Sequence, residues 1–472
     1  MKFKRTAPYF VIAFIVFTSF YNLKSLNIGS DETGYLWASK TLAETGKYGL
    51  EKNNDFIPYW HKIRVGPSLI VPVAFAIKIF GFNPYHGRYF IAFLTLIFYC
   101  LIYQLVKEII DNKTALLTVF LVSVSFWLPT GDLDIYIPIN RYFVGEMLAM
   151  TLLTGYLIFF VKFIKSKFKN KKCFYSASIF FALSFLTKMH FLIALIPAIV
   201  ILIISNIKTK KKIIFITQIS TVSLSLFILW LVWSALHSKL GFVGYINEWG
   251  DFEGKAFTQN YIRFFQNAYA IFRFAPNTLE PIILAPSLIW SAYRIFKTKS
   301  KPLFFILLFH LTWIAWFINS NGYLRYLIPG FIFGTVFVSW IFIKHRKSVF
   351  FITLFIFTVI PAFLFTTNQV LRYKETNWVK DIKTYVYKNI PLNSAIETKE
   401  FELYELSKDY NLNFTPEKVT NYDPAKFNMG YIIGGSFNGD PRFELTLREN
   451  EWEKIYESGE IQILKLQGDK SP

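Results

Sequence analysis

The sequence predicts an all-α polytopic membrane protein, with about 11 transmembrane helices plus interfacial helices, followed by a small C-terminal α/β extracytoplasmic domain. Three observations predict it. Apolar runs of membrane length recur from Ala7 to about Thr367. The chain is 53% hydrophobic and 19% aromatic, with 53 Phe in 472 residues, a composition suited to lipid. From about Asn368 it turns polar and slightly acidic. The net charge of +20 would suit nucleic acid, but the basic residues fall in short blocks between apolar runs. That is the positive-inside pattern, so the charge reports topology and argues against a nucleic-acid partner.

The first run, Ala7 to Tyr21, follows Lys2, Lys4 and Arg5 and reads as a signal anchor with a cytoplasmic N-terminus. No small-residue cleavage site follows it. Further spans are expected at 87–107, 114–129, 142–163, 173–187, 189–206, 213–236, 281–296, 303–319, 327–343 and 349–367, after the first at 7–23. The segment Pro67–Gly81 is only about 15 residues, against about 20 for a crossing. It also carries Pro67, Pro72 and Lys78. If it crossed, the basic blocks Lys165–Lys172, Lys208–Lys212, Lys297–Lys301 and Lys344–Lys347 would all face outward. Read as an interfacial or re-entrant helix, it lets all of them face inward, together with Lys107–Lys113. The C-terminus then lies outside.

This topology divides the chain into a transmembrane domain, 1–367, and an extracytoplasmic domain, 368–472. The first external loop is 24–86. A second long external loop, 237–280, carries Trp249, Asp251, Glu253 and an aromatic stretch from Tyr261 to Phe274 that reads as another interface helix. In the last domain the patterns suggest helices at Asn377–Lys388 and Phe401–Tyr410. Strands are expected at Ser394–Glu397, Gly430–Gly434 and Glu460–Leu466. Cys100 and Cys173 lie in or beside apolar spans and are not expected to pair. There is no internal repeat and no low-complexity segment.

The external side collects charge at the edges of apolar spans. Asp31 and Glu32 stand in the first loop, with His61, Lys62 and Arg64 further along it and Arg88 at the next span. Asp132, Asp134, Arg141, Glu146, Lys188 and Arg325 follow on the same side. Ionisable groups there are costly unless paired or solvated, and usually line a functional cavity. Carboxylates among many cations suit an anionic substrate handled by acid–base chemistry. Bland readings compete: Asp31-Glu32 as a solvated pair or a helix cap with Ser30, and single cations snorkelling to head groups. A polyprenyl-lipid flippase or transporter is the alternative function, but the paired broken helices of transporters are not evident. A structural membrane protein gives no reason for the acidic pair.

The first loop resembles that of integral membrane glycosyltransferases of the GT-C superfamily, nearest to the protein O-mannosyltransferase and lipid A aminoarabinose transferase group. That group carries an acidic motif Asp-Glu-x-x-Tyr-x-x-x-Ala. Here it reads Asp31-Glu32-Thr33-Gly34-Tyr35-Leu36-Trp37-Ala38, with Ala one place early. Thr45-Gly46, the basic segment His61-Lys62-Ile63-Arg64-Val65-Gly66-Pro67, Phe80-Gly81 and Arg88 follow in the family's order. Family members often have His-Lys-Pro-Pro where this chain has His61-Lys62-Ile63-Arg64. Late in the chain, Arg325-Tyr326-Leu327-Ile328-Pro329 matches the family's Arg-Tyr-Leu-x-Pro. The likeness runs over roughly residues 1–370.

The resemblance implies a GT-C fold in the cytoplasmic (inner or plasma) membrane. It implies a sugar donor on undecaprenyl or dolichyl phosphate and a protein, lipid or glycan acceptor on the outer face. It makes Asp31 the base of an inverting transfer and has Glu32 assist. A second acid is expected among Asp132, Asp134 and Glu146. Arg88, Arg141, Lys188 and Arg325, with Tyr326 beside it, are expected to bind the donor phosphate, and His61, Lys62 and Arg64 either share that work or hold lipid head groups. A divalent cation, Mg or Mn, bridging Asp31 and Glu146 would follow the related oligosaccharyltransferases. No ligand spacing requires one, and His61 and His190 are too isolated to read as metal ligands.

Overall fold

The computed structural model describes residues 3–23, 30–52, 55–58, 66–83, 85–124, 127–129, 136–138, 141, 144–236, 265–269, 281–320, 326–372, 378–398, 403, 406, 409–414, 430–435, 452–458 and 461–466. By Cα proximity the chain forms two compact units.

The first unit comprises residues 1–21, 64–69 and 88–372. Every segment expected to span holds a helix. These are α1 (Phe3–Phe20), α4 (His86–Ile109), α5 (Asn112–Ser123), α6 (Gly145–Lys165), α7 (Lys171–Thr187), α8 (Leu195–Ile204), α9 (Thr209–Leu236), α10 (Pro281–Thr298), α11 (Lys301–Ile318), α12 (Ile328–Lys344) and α13 (Val349–Arg372). A 3-10 turn, Met189–Ala194, leads into α8. Among the described residues five helices are long and apolar enough to cross a membrane, at 86–109, 145–165, 209–230, 301–318 and 349–371. The short helix expected near 67–81 is α3 (Pro67–Phe80).

One boundary differs from expectation. The apolar run 114–129 stops being helical at Ser123, and β3 (Trp127–Pro129) pairs antiparallel with β4 (Tyr136–Pro138). Proline removes a backbone donor and pushes the residue before it to extended geometry, so Pro129 and Pro138 favour a short ribbon over continued helix.

Helix α6 is the centre of the first unit. Its apolar window is 83% buried, whereas those of α9 and α13 are 22% buried and leave their apolar faces for lipid. α6 and α7 form an antiparallel hairpin held at several levels. Gly155 admits the Phe180 ring, Ser184 Oγ donates to the Ala149 carbonyl at 2.8 Å, and Tyr156 packs on Phe181 at 5.3 Å. On another side, α1 places Phe14 on Phe363 at 4.8 Å, and Thr366 Oγ1 donates to the Val124 carbonyl at 3.0 Å.

The basic loops gather at one end of this unit. Lys165 bonds both the carbonyl and the carboxylate of Glu108 at 2.7 Å, Lys301 lies over the Phe168 ring, and Trp290 meets His345. Helix alternation sends Arg141, Glu146 and Lys188 to the other end.

The second unit comprises residues 22–63, 70–87 and 373–472. It contains α2 (Ser30–Thr45), which carries Asp31 and Glu32 in its first turn. A hairpin of β1 (Gly49–Lys52) and β2 (Asp55–Pro58) follows. Helix α2 ends at Gly46, whose φ of +70° lets its N–H bond the Leu42 carbonyl at 3.0 Å. That left-handed cap explains the Thr45-Gly46 pair physically. Gly46→Ala has open space but a strained backbone, and should cost the cap about 1 kcal/mol. The expected result is roughly fivefold faster amide exchange over the last turn of α2. Unchanged exchange would show that the turn tolerates a Cβ.

Near the C-terminus lie α14 (Trp378–Asn389) and five strands: β5 (Ala395–Thr398), β6 (Asn411–Phe414), β7 (Tyr431–Gly435), β8 (Trp452–Ser458) and β9 (Ile461–Leu466). They form a mixed sheet in the order β6-β5-β7-β9-β8, parallel across β6, β5 and β7 and antiparallel beyond. Ile382 and Val386 of α14, with Ile390 just after it, pack with Ile396, Ile433 and Ile463. Tyr410 donates to the carbonyls of Val386 and Ile390 at the end of α14. Strands β6 and β8 are additions to the expected elements. Of the expected helix Phe401–Tyr410, only Leu403, Leu406, Asp409 and Tyr410 are described.

Candidate active site

Two helix ends make the centre of the site. Helix α6 starts with Glu146 in its first turn, and α7 ends with Lys188 as its cap residue. Because the two helices run antiparallel, these ends meet. Lys188 Nζ lies 3.0 Å from Glu146 Oε1, and the side chains are 6% and 2% exposed. Each charge also stands at the helix end whose dipole favours it: the carboxylate at an N-terminus, the ammonium at a C-terminus. Lys188 has extended backbone geometry, and its N–H reaches the Ser184 carbonyl at 3.0 Å. The chain turns there into the 3-10 segment. Arg141, fully buried, donates from its guanidinium to the carbonyl of Tyr21 just after α1.

The turn bearing Lys188 is clamped on both sides. Before it, Thr187 Oγ1 bonds Ser68 Oγ at 2.7 Å, and the Thr187 carbonyl accepts from the Gly66 N–H at 3.4 Å. Gly66 is forced by this approach: a Cβ there would lie 1.9 Å from the Leu186 carbonyl oxygen. After it, the His190 ring stacks on Trp316 at 5.2 Å and meets Tyr326 at 4.5 Å. Trp313 Nε1 donates to the Tyr326 carbonyl at 2.7 Å, fixing the start of α12 against α11. Asn267, from the long loop 237–280, donates to the carbonyls of Phe317, Ile318 and Ser320 at the end of α11.

The predicted residues divide accordingly. The structure joins Glu146 to Lys188, buries Arg141 at the end of the unit that carries that pair, and places Tyr326 against the His190 that follows Lys188. Arg88 is 1% exposed in the first turn of α4. In the second unit, Glu32 is 1% exposed on α2. Asp31 follows Ser30 at the start of that helix, and its side chain lies outside the described residues. His61, Lys62, Arg64, Asp132, Asp134 and Arg325 also lie outside them. Sequence reasoning missed Ser68, Thr187, Trp313, Trp316 and the packing role of His190. The Trp313–Trp316 spacing of one helical turn was the available signal.

Among the described residues, no group of three His, Cys, Asp or Glu side chains is placed to hold a metal. The Glu146 carboxylate faces an ammonium at 3.0 Å, which would repel a second cation. What the described groups offer is buried positive charge, steered by one carboxylate, at one end of a helical bundle. Such a site suits an anion carried by a lipid.

Residues 67–233 match the family described as Dolichyl-phosphate-mannose-protein mannosyltransferase. ArnT from Cupriavidus metallidurans, in a structure bound to undecaprenyl phosphate, superposes with a TM-score of 0.64 at 10% identity, over 96% of this chain and 97% of that one. The Archaeoglobus fulgidus oligosaccharyltransferase complexed with Zn and sulfate superposes with a TM-score of 0.57 at 13% identity, over 90% of this chain and 67% of that one. The oligosaccharyltransferase AglB from the same organism, complexed with an inhibitory peptide and a dolichol-phosphate, gives 0.56 at 13% identity, over 91% and 70%. No curated protein matches the chain at the sequence level. At these identities the structural likeness concerns the fold. The chain is a multi-pass membrane protein that resembles the ArnT and protein mannosyltransferase group of GT-C glycosyltransferases. The family match over residues 67–233 indicates a glycosyltransferase.

Proposed function

We propose that this protein moves a sugar from a polyprenyl-phosphate donor, undecaprenyl or dolichyl, to a protein, lipid or glycan acceptor at the outer face of the membrane. The observation that carries the reading is the buried Glu146–Lys188 pair, with Arg141, at the end of the bundle opposite the basic loops. A lipid phosphate is a leaving group that gains charge as the glycosidic bond breaks. Preorganised cations in a site of low dielectric stabilise that charge. Lys188 and Arg141 are suited to it, with Arg88 and Arg325 as further phosphate ligands. Glu146 acts through Lys188: it fixes the ammonium and limits the charge the bundle must bury. The ArnT neighbour was solved with undecaprenyl phosphate, and AglB with dolichol-phosphate, which supports a lipid-linked donor.

Asp31 takes the proton from the acceptor as its oxygen attacks the anomeric carbon, Glu32 assists, and displacement inverts that carbon. In this reading the N-terminus is cytoplasmic, eleven spans cross the membrane, and the C-terminal residues lie outside. The test is transfer of label from a set of radiolabelled polyprenyl-phosphate sugars to membrane acceptors. Asp31→Asn should lower the rate by about 10²–10⁴-fold at normal expression. Binding or translocation of the lipid without transfer from any donor would replace the enzyme with a flippase. Retention of anomeric configuration would sink the single-displacement step.

A further inference from the structure

The basic end of the helical unit contains an open cleft of about 770 Å³ between the α4–α5 turn and the α12–α13 turn. Lys113 lines one wall and Lys344, Arg346 and Lys347 the other, all exposed. The carboxylate in the cleft, Asp111, is already used: it accepts from the N–H groups of Lys113 and Thr114 at 2.9 and 2.8 Å and caps α5. The four cations outnumber this one carboxylate, so the cleft carries net positive charge. Helix α13, 24 residues long, begins at Val349 beside them and adds the positive end of its dipole.

We propose that this cleft binds the phosphate of an anionic diacyl phospholipid such as phosphatidylglycerol, independently of the sugar-transfer site. Two features favour a lipid over a soluble phosphate. The cleft is walled by Trp340, which stands edge-on to Trp290 at 5.0 Å. Tryptophans of this kind sit at head-group depth. Val349 and Phe350, on the first turn of α13, are 78% and 67% exposed and offer apolar surface to acyl chains at the rim. The cluster thus pairs cations with an adjoining apolar ledge, as a phospholipid head and its chains require.

The test uses the full-length protein released from nanodiscs of mixed phosphatidylglycerol and phosphatidylcholine, with bound lipid counted by native mass spectrometry. The triple variant Lys344→Gln, Arg346→Gln, Lys347→Gln should retain phosphatidylglycerol at least about tenfold less well than the parent. Removal of three charges from another basic loop, Lys208→Gln, Lys210→Gln, Lys211→Gln, should change retention less than about twofold. Lys344→Arg with Lys347→Arg should bind like the parent, which separates charge loss from misfolding. Equal losses in the two Gln variants would overturn the proposal in favour of diffuse attraction to the surface. Displacement of the lipid by millimolar inorganic phosphate would overturn it in favour of a soluble anion.

Discussion

Lys188→Met is expected to destabilise the folded protein by about 3–5 kcal/mol and to abolish sugar transfer, because it strands the Glu146 carboxylate in a site 2% exposed. Glu146→Gln should destabilise for the mirror reason, leaving an ammonium buried beside a neutral amide. The double variant separates structure from chemistry. With both charges gone, the desolvation penalty falls on neither partner, so the double variant should be more stable than either single variant, a non-additivity a double-mutant cycle measures. Transfer should not return, since the cation proposed to meet the lipid phosphate is absent. Thermal unfolding in detergent and label transfer on the same preparations measure the two effects. A double variant that regained transfer with its stability would make the pair a structural clasp and remove Lys188 from the chemistry.

That pair also marks how far the sequence could be read. The helices were legible because lipid rewards long apolar runs whatever their neighbours, and α3 because its length fell short of the bilayer. Glu146 and Lys188 were legible singly, as charges at the ends of consecutive spans. Their contact followed from one more step: consecutive antiparallel helices bring such ends together, and α6 and α7 do so. The end of α5 was misplaced because hydrophobicity continues through Phe126-Trp127-Leu128 past the point where Pro129 turns the chain extended. Strand β8, Trp452–Ser458, was missed because its alternation is weak and a register shift between Lys454 and Tyr456 interrupts it; pairing with β9 supplies what local pattern lacks. The stack of His190 on Trp316 and its contact with Tyr326 join residues far apart in sequence, and no single-window pattern contains them.

Gly66→Ala is the second large effect expected, and it tests the clamp rather than the charge. The added Cβ would lie 1.9 Å from the Leu186 carbonyl oxygen and 3.0 Å from its carbon. Both are backbone atoms, so no rotamer change relieves the clash. Either the start of α3 retreats, or the last turn of α7 shifts and carries Lys188 with it. Overpacking of this kind costs about 1–3 kcal/mol. A displacement on the order of 1 Å in a group that must meet a reacting phosphate can lower the rate about 10²-fold. Ser68→Ala is the control. It removes the 2.7 Å bond to Thr187 without moving backbone, and should cost about 1 kcal/mol with transfer changed only a few-fold. If Gly66→Ala lowered transfer no more than Ser68→Ala, the close approach would matter for packing alone. A large loss confined to Gly66→Ala would tie the position of Lys188 to the close approach of Gly66 to Leu186.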